Sequence, residues 1–159
     1  MTKVLVCCDK VEPHFSDDDK EGASPCKPIS THQYYSLRGR PIDMWSFACI
    51  LSELYTGYPL FPGEDEHQQL LCIMEILGDP PDQVIEAASR RKVFFDRNRR
   101  ARIVPDSRGR KRIPGSKNLA VATKCKNLEF VNFLKCCLRW DPSQRYTPDQ
   151  ALEHPWIQD

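Results

Sequence analysis

Between Ile42 and Thr56 the chain places apolar side chains on nearly every face of a helix: Ile42, Met44, Trp45, Phe47, Ala48, Cys49, Ile50, Leu51, Leu54 and Tyr55, with Gly57 as a stop. A helix of this kind has no side to turn to water and must be surrounded by protein. The spacing therefore predicts one buried pillar, with every other element arranged to cover it. A length of 159 residues suffices for one domain and a moderate core, and the hydrophobic share of 40% lies a little below the globular norm.

Three further helices are read from caps and periodicity. Gly63-Glu64-Asp65-Glu66 opens one whose early acids favour the positive end of the helix dipole; Leu70, Leu71, Met74 and Leu77 recur on one face before Gly78 and Pro80-Pro81 end it. Asn127 caps another that runs to about Arg139 and buries Phe130, Phe133, Leu134, Cys137 and Leu138. Thr147-Pro148-Asp149-Gln150 is a capping box with Pro at the first helical position. A short helical turn is also expected at Asp82 to Ala88. With no strand beyond a hint at Val4-Leu5-Val6, the class is mainly α.

Two motifs carry a resemblance. Asp43-Met44-Trp45-Ser46 opens the pillar helix, and Trp140-Asp141-Pro142-Ser143-Gln144-Arg145 lies near the end. Together they resemble the lower half of a protein kinase. Glu53-Leu54-Tyr55-Thr56-Gly57-Tyr58-Pro59-Leu60-Phe61-Pro62-Gly63, with Pro148-Asp149-Gln150-Ala151-Leu152 and His154-Pro155-Trp156, is similar to the dual-specificity tyrosine-regulated kinases of the CMGC group. The resemblance implies a partial large lobe over residues 40–159, helices F to I with the insert of that group, behind a leader over 1–39 that is disordered or unrelated. It implies ATP and magnesium for the whole enzyme, and protein substrates or regulators as partners. It also implies roles for four structural positions. The matching Asp43 accepts from amides of the catalytic loop; Trp45 and Trp140 belong to the two motifs; Arg145 pairs with the Glu of an Ala-Pro-Glu segment. On physical grounds alone Asp43 is an N-cap or a first-turn acid, and Arg145 a surface arginine with a buried stem. Without that Glu, Arg145 must turn to water or find Glu64, Asp65 or another acid.

Charge is unevenly spread. Arg90 to Lys117 holds 12 Lys/Arg against 2 Asp/Glu, a balance of +10 that leaves the remainder at −9. Turn formers at Pro105-Asp106, Arg108-Gly109 and Pro114-Gly115 leave no regular core visible in it. Three readings of this segment stand: a solvated insert, a pair of nuclear-import clusters, and, least favoured, nonspecific nucleic-acid binding. The candidate interaction cluster is Arg99, Arg100, Arg102, Arg108, Arg110, Lys111 and Arg112.

Asp17-Asp18-Asp19-Lys20-Glu21 with Pro13, Pro25 and Pro28 marks the leader as largely disordered; Tyr34 and Tyr35 there are read as ordinary loop tyrosines in preference to phosphorylation sites, because their flanks do not match the Tyr-x-Tyr pattern of the family that the chain resembles. Eight cysteines form no Cys-x-x-Cys pair, and no histidine sits at metal-finger spacing, so reduced thiols and no metal site are expected. His154, before Pro155 at a helix end, suits the dipole as a cation. No apolar run reaches membrane-spanning length, which leaves a cytoplasmic or nuclear location and no membrane partner.

Phosphoryl transfer needs a Lys on the phosphates, an Asp and an Asn on magnesium, and an Asp accepting the substrate proton. No Gly-rich loop, Val-Ala-Ile-Lys, His-Arg-Asp, Asp-Phe-Gly or Ala-Pro-Glu can be read in the chain. The expectation is that no residue here is catalytic, cofactor-binding or metal-binding, and that the chain alone is inactive. Three origins fit: a fragment of such a kinase, a non-catalytic docking module using helix 64–77 and the insert 90–117, and an unrelated leader joined to kinase sequence. The pillar's Trp45, Phe47 and Ile50 faces cannot all be buried by the helices that remain, so exposed apolar surface and marginal stability are expected.

Overall fold

The computed structural model describes residues 40–158, so the leader and its tyrosines Tyr34 and Tyr35 lie outside the described residues. Over these the order is α1 (Arg40–Thr56), α2 (Glu66–Leu77), α3 (Asp82–Ala87), α4 (Arg91–Phe94), α5 (Leu119–Thr123), α6 (Leu128–Cys137), a 3-10 turn (Pro142–Gln144), α7 (Pro148–Leu152) and α8 (Pro155–Gln158). No strand occurs among the described residues, and the one β-type contact is an isolated antiparallel bridge between Phe95 and Ala101. The mainly α reading stands. No helix among these residues is long and apolar enough to cross a membrane.

Local chemistry sets the boundaries. Gly57 ends α1 at φ 75°, its N–H on the Glu53 carbonyl at 2.7 Å. The Asp65 carboxylate caps α2 through the Gln68 N–H at 2.8 Å, and Gly78 closes it at φ 78°. Asn127 Oδ1 accepts from the N–H groups of Glu129 and Phe130, which starts α6. Both bonds of the Thr147 capping box form: the Thr147 N–H donates to Gln150 Oε1 at 2.9 Å and the Gln150 N–H to Thr147 Oγ1 at 3.3 Å. Gly63 is required by proximity rather than by φ. A Cβ there would collide with the backbone N and Cα of Gln69, whose side-chain Oε1 accepts from the Gly63 N–H.

The principal core lies between α1, α2, α5, α6, α7 and the loop after α1, and it contains Trp45, Ala48, Phe61, Ile73, Phe130, Phe133, Leu134, Leu138 and Ala151. Burying each large apolar side chain contributes roughly 1.5–3 kcal/mol. A second, smaller cluster joins Leu70, Met74 and Ile85 to Phe94 and Phe95, with Trp140 packed against both clusters. This corrects the reading of the basic segment as coreless: its first residues supply two buried phenylalanines. Periodicity did not reveal them, because the flanking charge outweighs two aromatic positions.

The pillar is only half surrounded. Met44, Trp45, Ala48 and Ser52 form its buried stripe, while Phe47 is 41%, Ile50 56% and Leu54 77% exposed. Of the three faces expected not to be buried together, that of Trp45 is covered and those of Phe47 and Ile50 are not. The other two are open because α6 and α5 reach only one side of α1. His154 is tied into this core. It is buried; its Nδ1 accepts from the Trp156 N–H at 3.1 Å, at the start of α8, and its Nε2 meets Asn132 Oδ1 at 3.2 Å.

Candidate functional site

Two surfaces stand out: an aromatic cleft at the head of α1 and the face of the basic insert. The cleft has a volume of about 220 Å³ and runs between α1, the loop at Pro59 to Phe61, α2, α3 and α4. Trp45 is its floor. It stacks on Phe61 at 6.1 Å and 25°, meets Trp140 at 6.1 Å, and carries the Arg145 guanidinium 5.0 Å above its ring. Arg145 is held by the chain end of α6, donating from Nε and Nη2 to the Arg139 carbonyl at 3.1 and 2.8 Å and from Nη2 to Trp140 O at 3.5 Å. Two of the acids named for it have other contacts: Asp65 caps α2 and Glu64 accepts from Ser107 Oγ at 2.6 Å. Trp140 Nε1 is buried with no hydrogen-bond partner among the described residues. Asp43 sits exposed in the first turn of a helix that begins at Arg40, which leaves it the dipole role and not that of the cap.

The cleft does not suit nucleotide chemistry. Glu53 and Glu66 are the carboxylates among its lining residues, and Glu66 is bound to Arg90 at 2.6 Å. The Arg90 contact first of all holds the Glu66 carboxyl below its ordinary range. Among the described residues no group of three His, Cys, Asp or Glu could hold a metal ion. Magnesium prefers near-octahedral oxygen ligation with nucleotide phosphates sharing the site. The lining here is mostly apolar, and this cleft does not fit magnesium-ATP. Cys49 also borders the cleft, but burial and then the charge of Glu53 push its thiol up to about 12. It is a packing residue and not a nucleophile.

The insert is fastened to α2 and α3 by charge. Arg90 pairs with Glu66, Arg99 with Asp82 and Glu86, and Arg110 and Arg112 converge on Glu75 at 2.7 and 3.0 Å. Arg112 also meets Asp106 at 3.6 Å, and the side chains of Arg112, Glu75 and Asp106 are only 12%, 12% and 8% exposed. Gln68, itself buried, donates from Nε2 to the Val104 carbonyl at 2.9 Å. The Phe94 ring meets the His67 ring at 4.8 Å and the Arg90 guanidinium at 5.3 Å.

Within the insert the same turn is built twice, at Asp96-Arg97-Asn98-Arg99-Arg100 and at Asp106-Ser107-Arg108-Gly109-Arg110. In each, the Asp Oδ1 accepts from the N–H groups two and four residues on, and the Asp N–H donates to the carbonyl four residues on, at 2.9 and 3.0 Å. The fourth residue of each is left-handed: Arg99 at φ 62° and Gly109 at φ 76°. Glycine adopts that region freely; Arg99 is held there with its guanidinium on Asp82 and Glu86.

The seven predicted cluster residues therefore divide. Arg99, Arg110 and Arg112 are committed to acids of α2, α3 and the second turn, while Arg100, Arg102, Arg108 and Lys111 are exposed and meet no carboxylate among the described residues. Sequence reasoning missed the Glu75–Arg112–Asp106 clasp and the Gln68 pin. The repeated spacing of Asp with Arg four residues on could have shown the twin turns; nothing local shows the pairing of Glu75 with Arg112.

A sequence model of the protein kinase domain matches residues 29–157. The chain is 54% identical over 120 residues to dual specificity tyrosine-phosphorylation-regulated kinase 2 of Drosophila melanogaster, covering 76% of this chain and 17% of that protein. It is 56% identical over 116 residues to human dual specificity tyrosine-phosphorylation-regulated kinase 4, covering 73% and 22%. It is 50% identical over 119 residues to the DYRK-family kinase pom1 of Schizosaccharomyces pombe, covering 75% and 11%. The chain thus spans less than a quarter of the length of these relatives.

Proposed function

The chain belongs to the protein kinase family, with half or more of its aligned positions identical to dual-specificity tyrosine-phosphorylation-regulated members, and from that premise we propose that it is a supporting part of such an enzyme. Residues 40–159 serve as helices F to I of the large lobe with the insert of the CMGC group. ATP-dependent phosphorylation of serine, threonine and tyrosine in protein substrates is the work of the parent enzyme, and the 159 residues by themselves are inactive. One observation carries this reading. Trp45 and Arg145, from the two diagnostic motifs at opposite ends of the described chain, meet with the guanidinium 5.0 Å above the ring. Helices that support a lobe need this kind of distant joint; phosphoryl transfer needs placed phosphates and metal, which belong to other segments of the parent.

The exposed stripe of Phe47, Ile50 and Leu54 on α1 supports the same reading, since an apolar face of that size is suited to burial under further protein. Labelled γ-phosphate transfer is the test, run on the chain alone and on the chain joined to the preceding half of a dual-specificity relative. Transfer by the joined protein only is expected. Transfer by the chain alone, persisting after repurification, overturns the inactive reading, and a folded but inert joined protein overturns the family activity.

A second reading, a non-catalytic interaction module built on α2 and the insert, is favoured by one observation. The insert is fixed to α2 by the Glu75 ion pairs while other cations of it stay exposed.

A further inference from the structure

We propose that the outer surface of the insert, built on Arg97, Arg100, Arg102, Arg108 and Lys111, is a docking surface for an extended acidic segment of a partner protein, rich in Asp and Glu. The inference names a partner for the interaction reading above and rests on it; it does not depend on catalysis.

Charge is sorted in this insert. The arginines that contact the domain, Arg90, Arg99, Arg110 and Arg112, each have acids of α2, α3 or the second turn as partners. The five named cations are all exposed, and among the described residues none of their side chains meets a carboxylate. Internal pairing has used up the nearby acids, so the remaining positive charge faces outward.

The surface is also fixed rather than loose. Asp96 and Asp106 close the two turns that carry Arg97, Arg100 and Arg108. Between the turns the Arg102 N–H donates to Phe94 O at 2.8 Å, and beyond them the N–H groups of Gly115 and Lys117 donate to carbonyls of Met74 and Glu75 in α2. A ligand meeting prearranged cations loses less freedom on binding than one that must order a loop. Guanidinium groups favour carboxylates, to which they donate two parallel hydrogen bonds.

Nucleic acid fits less well. Single-strand binding draws on aromatic faces for base stacking, and the insert's two aromatics, Phe94 and Phe95, are buried in the second core. Its single helix before Lys117, α4, has four residues, too few to read a groove.

The test is fluorescence anisotropy of a labelled octa-glutamate peptide titrated with the full chain. Saturable binding that weakens with added salt is expected. The R97Q/R100Q/R102Q/R108Q variant weakens it about tenfold or more, the combined effect of neutralising four exposed cations. Neutralising Lys3, Lys10, Lys20 and Lys27 removes as many charges and leaves binding unchanged. Should the quadruple variant lose its fold by circular dichroism, the pair R108Q/K111Q carries the test with about a threefold loss expected. Peptide binding equal in variant and parent overturns the proposal, as does an equal loss from the lysine control or tighter binding of oligouridine than of the peptide.

Discussion

Truncating Glu75 to Ala should release the insert from α2. Its carboxylate accepts from Arg110 Nη2 at 2.7 and 3.0 Å and from Arg112 Nη1 at 3.0 Å, in a place where the Glu75 and Arg112 side chains are each 12% exposed. Arg112 would keep Asp106, 3.6 Å away, but its Nε is already buried with no partner among the described residues. Removing one member of a buried ion pair costs on the order of 3–5 kcal/mol, because the other charge stays desolvated. Residual exposure and the surviving Asp106 contact place this case at about 3 kcal/mol. With a urea slope of about 1.5 kcal/mol per molar, the midpoint should fall by about 2 M. The double variant Glu75→Leu with Arg112→Met separates cause from consequence. If the cost comes from a stranded guanidinium, replacing both partners recovers most of the loss. A double variant as unstable as Glu75→Ala would refute that account and mean that the clasp itself supplies the stability.

Three other outcomes follow from particular contacts. The Asp106 carboxyl is held below the ordinary Asp range chiefly by the Arg110 N–H, then by the Arg108 N–H and the charges of Arg112 and Arg110, against the opposing effect of burial. A folded-state value below the unfolded one stabilises above the unfolded pKa and is lost as pH falls; urea midpoints should therefore drop below about pH 4, and Asp106→Asn should flatten that slope. A slope unchanged in the variant counts against it. Cys49 and Cys137, both pushed up to about 12 chiefly by burial, should resist thiol reagents at neutral pH until urea unfolds the chain, and rapid native labelling mapped to either would contradict their placement. Gly63→Ala should displace the start of α2 and lower the midpoint by about 1 M or more, since its Cβ meets backbone atoms of Gln69 that cannot rotate away; an unchanged midpoint would contradict the close approach.

What was legible in the sequence was chiefly local. The caps at Asn127 and Thr147 and the stop at Gly57 need only a few neighbouring residues, and each forms as its spacing indicates. Asp65 was visible only as one of several early acids, and its place as the cap of α2 follows from the fold. Short helices with weak patterns were missed. Leu119–Thr123 is capped by Asn118 through the Val121 N–H but has only five residues, and Pro155–Gln158 depends on His154. Contacts distant in sequence were least legible. Nothing around Arg145 indicates that it would donate to the Arg139 carbonyl and lie over the Trp45 ring, and nothing around Glu75 points to two arginines 35 and 37 residues on. At the cleft, Trp45, Trp140 and Arg145 were named from motifs, but their meeting over one aromatic floor is a property of the fold.

Isothermal titration of the purified 159-residue chain with magnesium-ATP bears most directly on the proposal that these helices support a lobe without gripping nucleotide. Heats that match dilution at every ratio are predicted. A saturable, magnesium-dependent isotherm near one nucleotide per chain would contradict it.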